Sequence, residues 1–202
     1  MKPLNYPFRK AILFAFLGFL CGWVGCSKNF QDAAVTCYNQ GNALKKLGKY
    51  TDALQAYDKA LELNPNDAEA WVNKGAALGE SGNPQDALKC FDTSIQLNPK
   101  YAKAWSNKGV ALGNLGKYEE ELQAYDKALE LNPKYAEGWF NKGVALGELG
   151  KYTEALQTFD KTLEFNPNDA DAWGNKGVIL KRLGSSQEAK KCFDKAIQLK
   201  RN

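Results

Sequence analysis

The chain has 202 residues, enough for one or two ordinary domains, and its 44% hydrophobic and 25% charged content is that of a folding chain, not a disordered one. The net charge of +4 does not mark a basic protein: Lys2, Arg9 and Lys10 stand in the first 26 residues without a single acid, leaving 24 basic against 23 acidic residues. That balance lacks the concentrated positive face that nucleic acid requires, and the absence of histidine removes the commonest general base and metal ligand together.

The N-terminus comes first. A short basic stretch precedes Ala11–Gly25, fifteen residues without a charge. As a helix this run would span about 22 Å, short of the ~30 Å hydrocarbon core of a bilayer. It fits the central region of a secretory signal better than a membrane span. The run ends in Val24-Gly25-Cys26-Ser27, which resembles the lipobox of prokaryotic lipoproteins, with Trp23 where that motif usually carries an aliphatic residue. The resemblance implies lipidation at Cys26. Retention as an uncleaved anchor and ordinary cleavage stay open beside it. All three give a membrane-associated or extracytoplasmic protein, with 1–26 as the targeting segment and 27–33 as a short linker.

Beyond Ala34 the sequence repeats every 34 residues. "LQAYDKALELNP" stands at 54–65 and again at 122–133. In the frame 34–67, 68–101, 102–135, 136–169 and 170–202, the fourth residue is Cys37, Trp71, Trp105, Trp139 and Trp173. The eighth is Gly41, Gly75, Gly109, Gly143 and Gly177. Asn-Pro pairs at 64–65, 98–99, 132–133 and 166–167 close the first four units. This period and pattern resemble the tetratricopeptide repeat over 169 of the 202 residues. The resemblance implies an all-α fold, a right-handed α-solenoid of five helix-turn-helix units, with the first helix of each lining a concave face.

Within each unit the local signals agree. Asp67 and Asp169 are suited to cap first helices, which run to glycines at 48, 82, 116, 150 and 184. Asn83-Pro84 reads as an N-cap followed by proline at the first helical position. Second helices carry apolar residues at helical spacing, as in Leu54, Tyr57 and Leu61. One such hairpin cannot bury its apolar face alone, so neighbours must stack.

Two features depart from the pattern. Where other units have Ala53, Ala87, Ala155 and Ala189, the third has Glu121; by the resemblance, this residue packs against the eighth-position glycine, Gly109. The chain also ends at Asn202 without an additional helix, so the last one, with Lys190, Lys191 and Lys195, is expected to cap itself.

Chemistry is sparse. Cys90 and Cys192 occupy one slot three repeats apart, too far to bridge, and with Cys37 they read as packing residues. No CxxC pair accompanies them, which argues against zinc. The acidic run Glu119-Glu120-Glu121 opens a helix, where the helix dipole favours it. No nucleophile stands beside a base, so we expect no catalytic residues, no metal, no cofactor and no small-molecule substrate.

The groove remains. The sixth residue of every unit is asparagine: Asn39, Asn73, Asn107, Asn141 and Asn175. In the family this position faces the concave surface. An amide offers donor and acceptor together, matching the backbone of an extended peptide. The run resembles the asparagine ladder in the repeat arm of O-linked N-acetylglucosamine transferases; maintaining repeat packing is the other role open to it. Gly79, Gly113 and Gly147 interrupt the first helices, either for packing or to clear room for a ligand. Val72, Val110, Phe140, Val144 and Val178 form an apolar strip beside Glu69, Glu80, Glu137, Glu148 and Asp171. The carboxylate clamp of chaperone-binding relatives is incomplete: Asn42, Asn73 and Lys103 match, but Tyr38 and Asn107 replace its cations.

The expected function is a membrane-tethered, non-catalytic interaction module that holds an extended peptide or protein segment. A scaffold that stacks through its uncapped ends is the alternative.

Overall fold

The computed structural model describes residues 23–201, and for 23–28 only the main chain. The first 22 residues and the Cys26 side chain, and with them the signal and lipidation expectations, lie outside the described residues.

The all-α expectation holds. Ten helices are present among the described residues: α1 Trp23–Lys46, α2 Tyr50–Leu63, α3 Ala68–Glu80, α4 Pro84–Leu97, α5 Ala102–Gly113, α6 Tyr118–Leu131, α7 Ala136–Glu148, α8 Tyr152–Phe165, α9 Ala170–Arg182 and α10 Ser186–Arg201. The expected linker 27–33 is a correction, because these residues continue α1 without a break. Nothing between Cys26 and Ala34 is glycine or proline, so no residue there stops a helix.

Each odd-numbered helix ends where glycine permits it. Gly48, Gly82, Gly116, Gly150 and Gly184 all sit at φ between 71° and 86°, the left-handed region that closes a helix. The Asp67 carboxylate accepts from the backbone N–H of Glu69 and Ala70, and that of Asp169 from Ala172, as expected of caps. Asn83 takes the N-cap place of α4 with Pro84 as the first helical residue, as expected, but its side chain makes no capping hydrogen bond; its amide donates to the carbonyl and hydroxyl of Ser81. Each Asn-Pro pair ends a second helix, and the following tryptophan secures the loop. Trp71, Trp105, Trp139 and Trp173 donate from Nε1 to the carbonyls of Pro65, Pro99, Pro133 and Pro167 at 2.8–3.1 Å.

Within a hairpin the eighth-position glycine meets a ring of the second helix. A Cβ on Gly41, Gly75, Gly109, Gly143 or Gly177 would lie 2.6–2.9 Å from Tyr57, Phe91, Tyr125, Phe159 or Phe193. The expected contact between Glu121 and Gly109 is therefore corrected: Gly109 faces Tyr125, and Glu121 faces Gly113. The helices are antiparallel, so one turn forward on α5 is one turn back on α6.

Between hairpins a recurrent clasp fixes the stack. Lys74, Lys108, Lys142 and Lys176 reach back to Asp58, Asp92, Asp126 and Asp160 of the preceding second helix at 2.5–2.7 Å. Each ammonium also lies 5.2–5.9 Å from the centroid of the tryptophan three residues earlier. Consecutive first helices touch one another whereas consecutive second helices do not, so the first helices form the inner wall of the curve. At the far end Lys190 and Lys191 are exposed, Lys195 is half-buried and Lys200 pairs with Asp171 at 2.8 Å, while Ile197 stays half exposed.

Candidate functional site

Three clefts open along the inner wall, between α3 and α5, α5 and α7, and α7 and α9, with volumes of 210, 280 and 360 Å³. One stripe of each of the last three first helices runs through them, at spacing i, i+3 and i+7, which places residues on one helical face. In α5 and its C-cap it is Asn107, Val110 and Asn114; in α7, Asn141, Val144 and Glu148; in α9, Asn175, Val178 and Arg182. Phe140 forms a wall of the middle cleft and meets Phe159 edge-on at 6.0 Å between centroids. Val110 and Val144 each line two neighbouring clefts. The three clefts thus form a continuous strip.

The asparagines of the expected ladder have unequal surroundings. Asn107 and Asn141 line clefts and make no side-chain hydrogen bond among the described residues. Asn175 lines the third cleft but donates to the Asp171 carbonyl of its own helix at 2.9 Å. Asn39 is exposed on α1, beyond the cleft strip. Asn73 is turned inward. Its amide donates to the Tyr38 hydroxyl at 2.6 Å and to Asn42 Oδ1 at 3.2 Å. Tyr38 in turn donates to Glu69 at 2.7 Å, and Tyr57 to Asn42 at 2.7 Å. Lys45 and Glu80 bridge α1 and α3 nearby at 2.9 Å. The first junction is therefore closed by its own polar groups. Tyr38 and Asn42 are its fasteners.

The apolar strip needs one correction. Val72 is fully buried in the core with Phe91 and Ala104, because its position points between hairpins. Val110 and Val178 are 40% and 47% exposed and remain on the surface. Of the acids, Glu80 and Glu148 line clefts, whereas Glu69, Glu137 and Asp171 are held by Tyr38, Tyr135 and Lys200.

Of the helix-interrupting glycines, Gly79 lies 3.9 Å from Ala87 when given a Cβ, and Gly147 meets Ile179 at 3.0 Å. Gly113 would place a Cβ 2.5 Å from Glu121 Oε1, so its missing side chain is the space the carboxylate occupies. Glu121 is only 7% exposed and receives the Tyr125 hydroxyl at 3.3 Å. Burial pushes this carboxyl above its ordinary range, opposed by the Tyr125 hydrogen bond and reinforced by Glu148. Burial likewise raises the Cys90 thiol to about 11, well away from a reactive thiolate. No group of side chains suited to hold a metal is present among the described residues.

Asn114 and Arg182 are cleft residues that the sequence reading missed, and they share a repeat position with Glu148, which it named. They lie two turns beyond the asparagines, at a position where the units differ, with Lys46 and Glu80 in the remaining two.

Tetratricopeptide-repeat models match residues 34–67 and 170–202, 56–89 and 124–157, and, as further repeat models, 75–136 and 145–184, so that together they tile 34–202. The chain belongs to the tetratricopeptide-repeat family. Its fold is similar to a crystal structure of MamA at 25% identity and TM-score 0.67, covering 80% of this chain and 94% of that one. It is also similar to MamA residues 41 to the end from Desulfovibrio magneticus RS-1, at 22% identity and TM-score 0.69 over 84% and 96%. A third similar structure is YrrB, described as a TPR protein with an unusual peptide-binding site, at 26% identity and TM-score 0.61 over 90% and 94%. No curated protein matches the sequence. Among the described residues, no helix is long and apolar enough to cross a membrane.

Proposed function

We propose that this repeat protein is a non-catalytic interaction module, tethered to a membrane by its N-terminal segment, that holds an extended segment of a partner protein along its inner wall. The observation that carries the reading is the pair Asn107 and Asn141. Both amides line clefts, neither has a side-chain hydrogen-bond partner among the described residues, and Val110, Phe140 and Val144 stand beside them. A peptide backbone supplies what such amides lack, and its apolar side chains suit the walls. The charge-free run Ala11–Gly25 ending in Cys26 supports the tether.

The competing scaffold meets a specific difficulty. Every internal junction uses a lysine, a tryptophan and an aspartate, but the first hairpin has Gln40 and Cys37 at the lysine and tryptophan positions. At the other end Asp194 has no lysine partner among the described residues. An end-to-end stack would lack the clasp at its seam. Sedimentation across a hundredfold range of concentration separates the two readings: a constant mass supports the receptor, and growth supports the scaffold.

Binding is tested by replacing Asn107 and Asn141 together with alanine. Each lost amide should weaken binding of a captured peptide by about 0.5–1.5 kcal/mol, so roughly tenfold for the pair. Lys127→Ala with Glu130→Ala, which breaks a 2.8 Å surface pair on α6, is the control and should leave affinity intact. Unchanged affinity in the asparagine double variant would refute the ladder.

A further inference from the structure

The middle cleft differs from its neighbours in what lies at its floor. In the hairpins on either side the corresponding residue of the second helix is Ala87 or Ala155, both fully buried. Here it is Glu121, more than nine-tenths buried, with its carboxylate lodged in the gap left by Gly113 and lining the cleft. One oxygen receives a single long hydrogen bond from Tyr125, and no cation pairs with the group among the described residues. Glu148 stands at the same cleft and adds a second negative charge. The Phe140 ring lines the opening, together with Tyr118 and the amides of Asn114 and Asn141.

A buried carboxylate without a counter-charge is costly, and a cation brought by a partner would remove that cost on binding. A ring beside the entrance favours a cation as well. The cleft volume of 280 Å³ admits a long side chain from the groove.

We propose that the cleft between α5 and α7 is a subsite for one basic side chain, lysine or arginine, of the bound segment, with the Glu121 carboxylate as its counter-ion. The inference rests on the reading that the inner wall holds an extended segment. It adds a charge requirement at one position. The departure of Glu121 from the repeat pattern is then the recognition element, and Gly113 is what makes room for it.

The test uses the full chain and pools of capped nonapeptides whose central residue is fixed as arginine, lysine, norleucine or glutamate and whose other positions are mixed. Binding is read by fluorescence anisotropy. The arginine and lysine pools should bind about tenfold tighter than the norleucine pool, and the glutamate pool should bind most weakly. Glu121→Ala installs the residue that neighbouring hairpins already carry, so the fold should survive; Glu121→Gln keeps the shape. In both variants the basic preference should collapse to within about twofold, while norleucine binding is retained. Glu130→Gln, on the outer face of α6, should keep the full preference. A preference that survives Glu121→Gln, or pools that bind without any preference, would overturn the subsite but leave the groove standing. If no pool binds at all, the groove reading fails and the subsite falls with it.

Discussion

The junction of α1 with α3 and that of α5 with α7 are built to one plan yet end in opposite states. Both place an asparagine at the sixth position of a repeat, and both bury a tyrosine ring against an eighth-position glycine. In the first, Tyr38 and Asn42 capture Asn73, and the Lys45–Glu80 pair bridges the two helices. In the second, Ser106 and Val110 stand where Tyr38 and Asn42 are, neither reaches the amide of Asn141, and the seam stays open above Glu121. A repeat position thus sets where a side chain points. Its neighbours decide whether it is spent on the fold or left for a partner.

The shared part of the plan is the most demanding. Gly41→Ala and Gly109→Ala would each drive a methyl to 2.6 Å from a buried tyrosine ring, Tyr57 or Tyr125. Each should cost about 2–3 kcal/mol in denaturant melts. A large difference between the two would show that the hairpins are not equivalent and would break the comparison at its base.

The polar trimming comes next. Asn73→Ala removes two half-buried hydrogen bonds and should cost about 1–2 kcal/mol, whereas Asn141→Ala should stay within about 0.5 kcal/mol. Equal losses in the two melts would mean that Asn141 also holds the repeats together.

Glu121→Ala should raise stability by about 1 kcal/mol at neutral pH, since it removes a poorly paired buried charge. The pH dependence has a definite sign. A carboxyl whose folded value is raised binds its proton more readily in the folded state, so its contribution to stability is fully present below the unfolded value and is lost as pH rises through the folded one. Burial is the main cause here, with Glu148 adding to it and the Tyr125 hydroxyl opposing it. The advantage of the alanine variant should therefore shrink as pH falls toward the ordinary carboxylate range. An advantage that grows on acidification would mean that Glu121 has a favourable partner in the folded state.

Much of the fold was legible because it depends on local rules. Each of the five helix-ending glycines and the two aspartate caps is readable from its immediate neighbours in the sequence. The 34-residue register also places the groove stripe on one face of each first helix. Contacts between helices were less legible. Pairing Glu121 with Gly109 was wrong by one turn, because the antiparallel crossing is set by where the Tyr125 ring finds its glycine. Asn83 does stand at the N-cap before Pro84, but its side chain caps nothing, its amide donating to the nearby Ser81 hydroxyl and carbonyl instead. The inward turn of Asn73 required Tyr38 and Asn42 from another hairpin, 35 and 31 residues away. No periodicity within one unit carries that information.

Side-chain amide signals of asparagine offer the most direct view of the central claim, that the open middle of the inner wall receives the partner while the closed first junction does not. Isotope-labelled full chain titrated with the central-arginine nonapeptide pool should shift the Asn107 and Asn141 amide signals in a saturable way. The Asn73 amide, already engaged by Tyr38 and Asn42, should stay in place. Saturable shifts confined to the outer helices or to the last hairpin around Ile197, with Asn107 and Asn141 unmoved, would contradict the account.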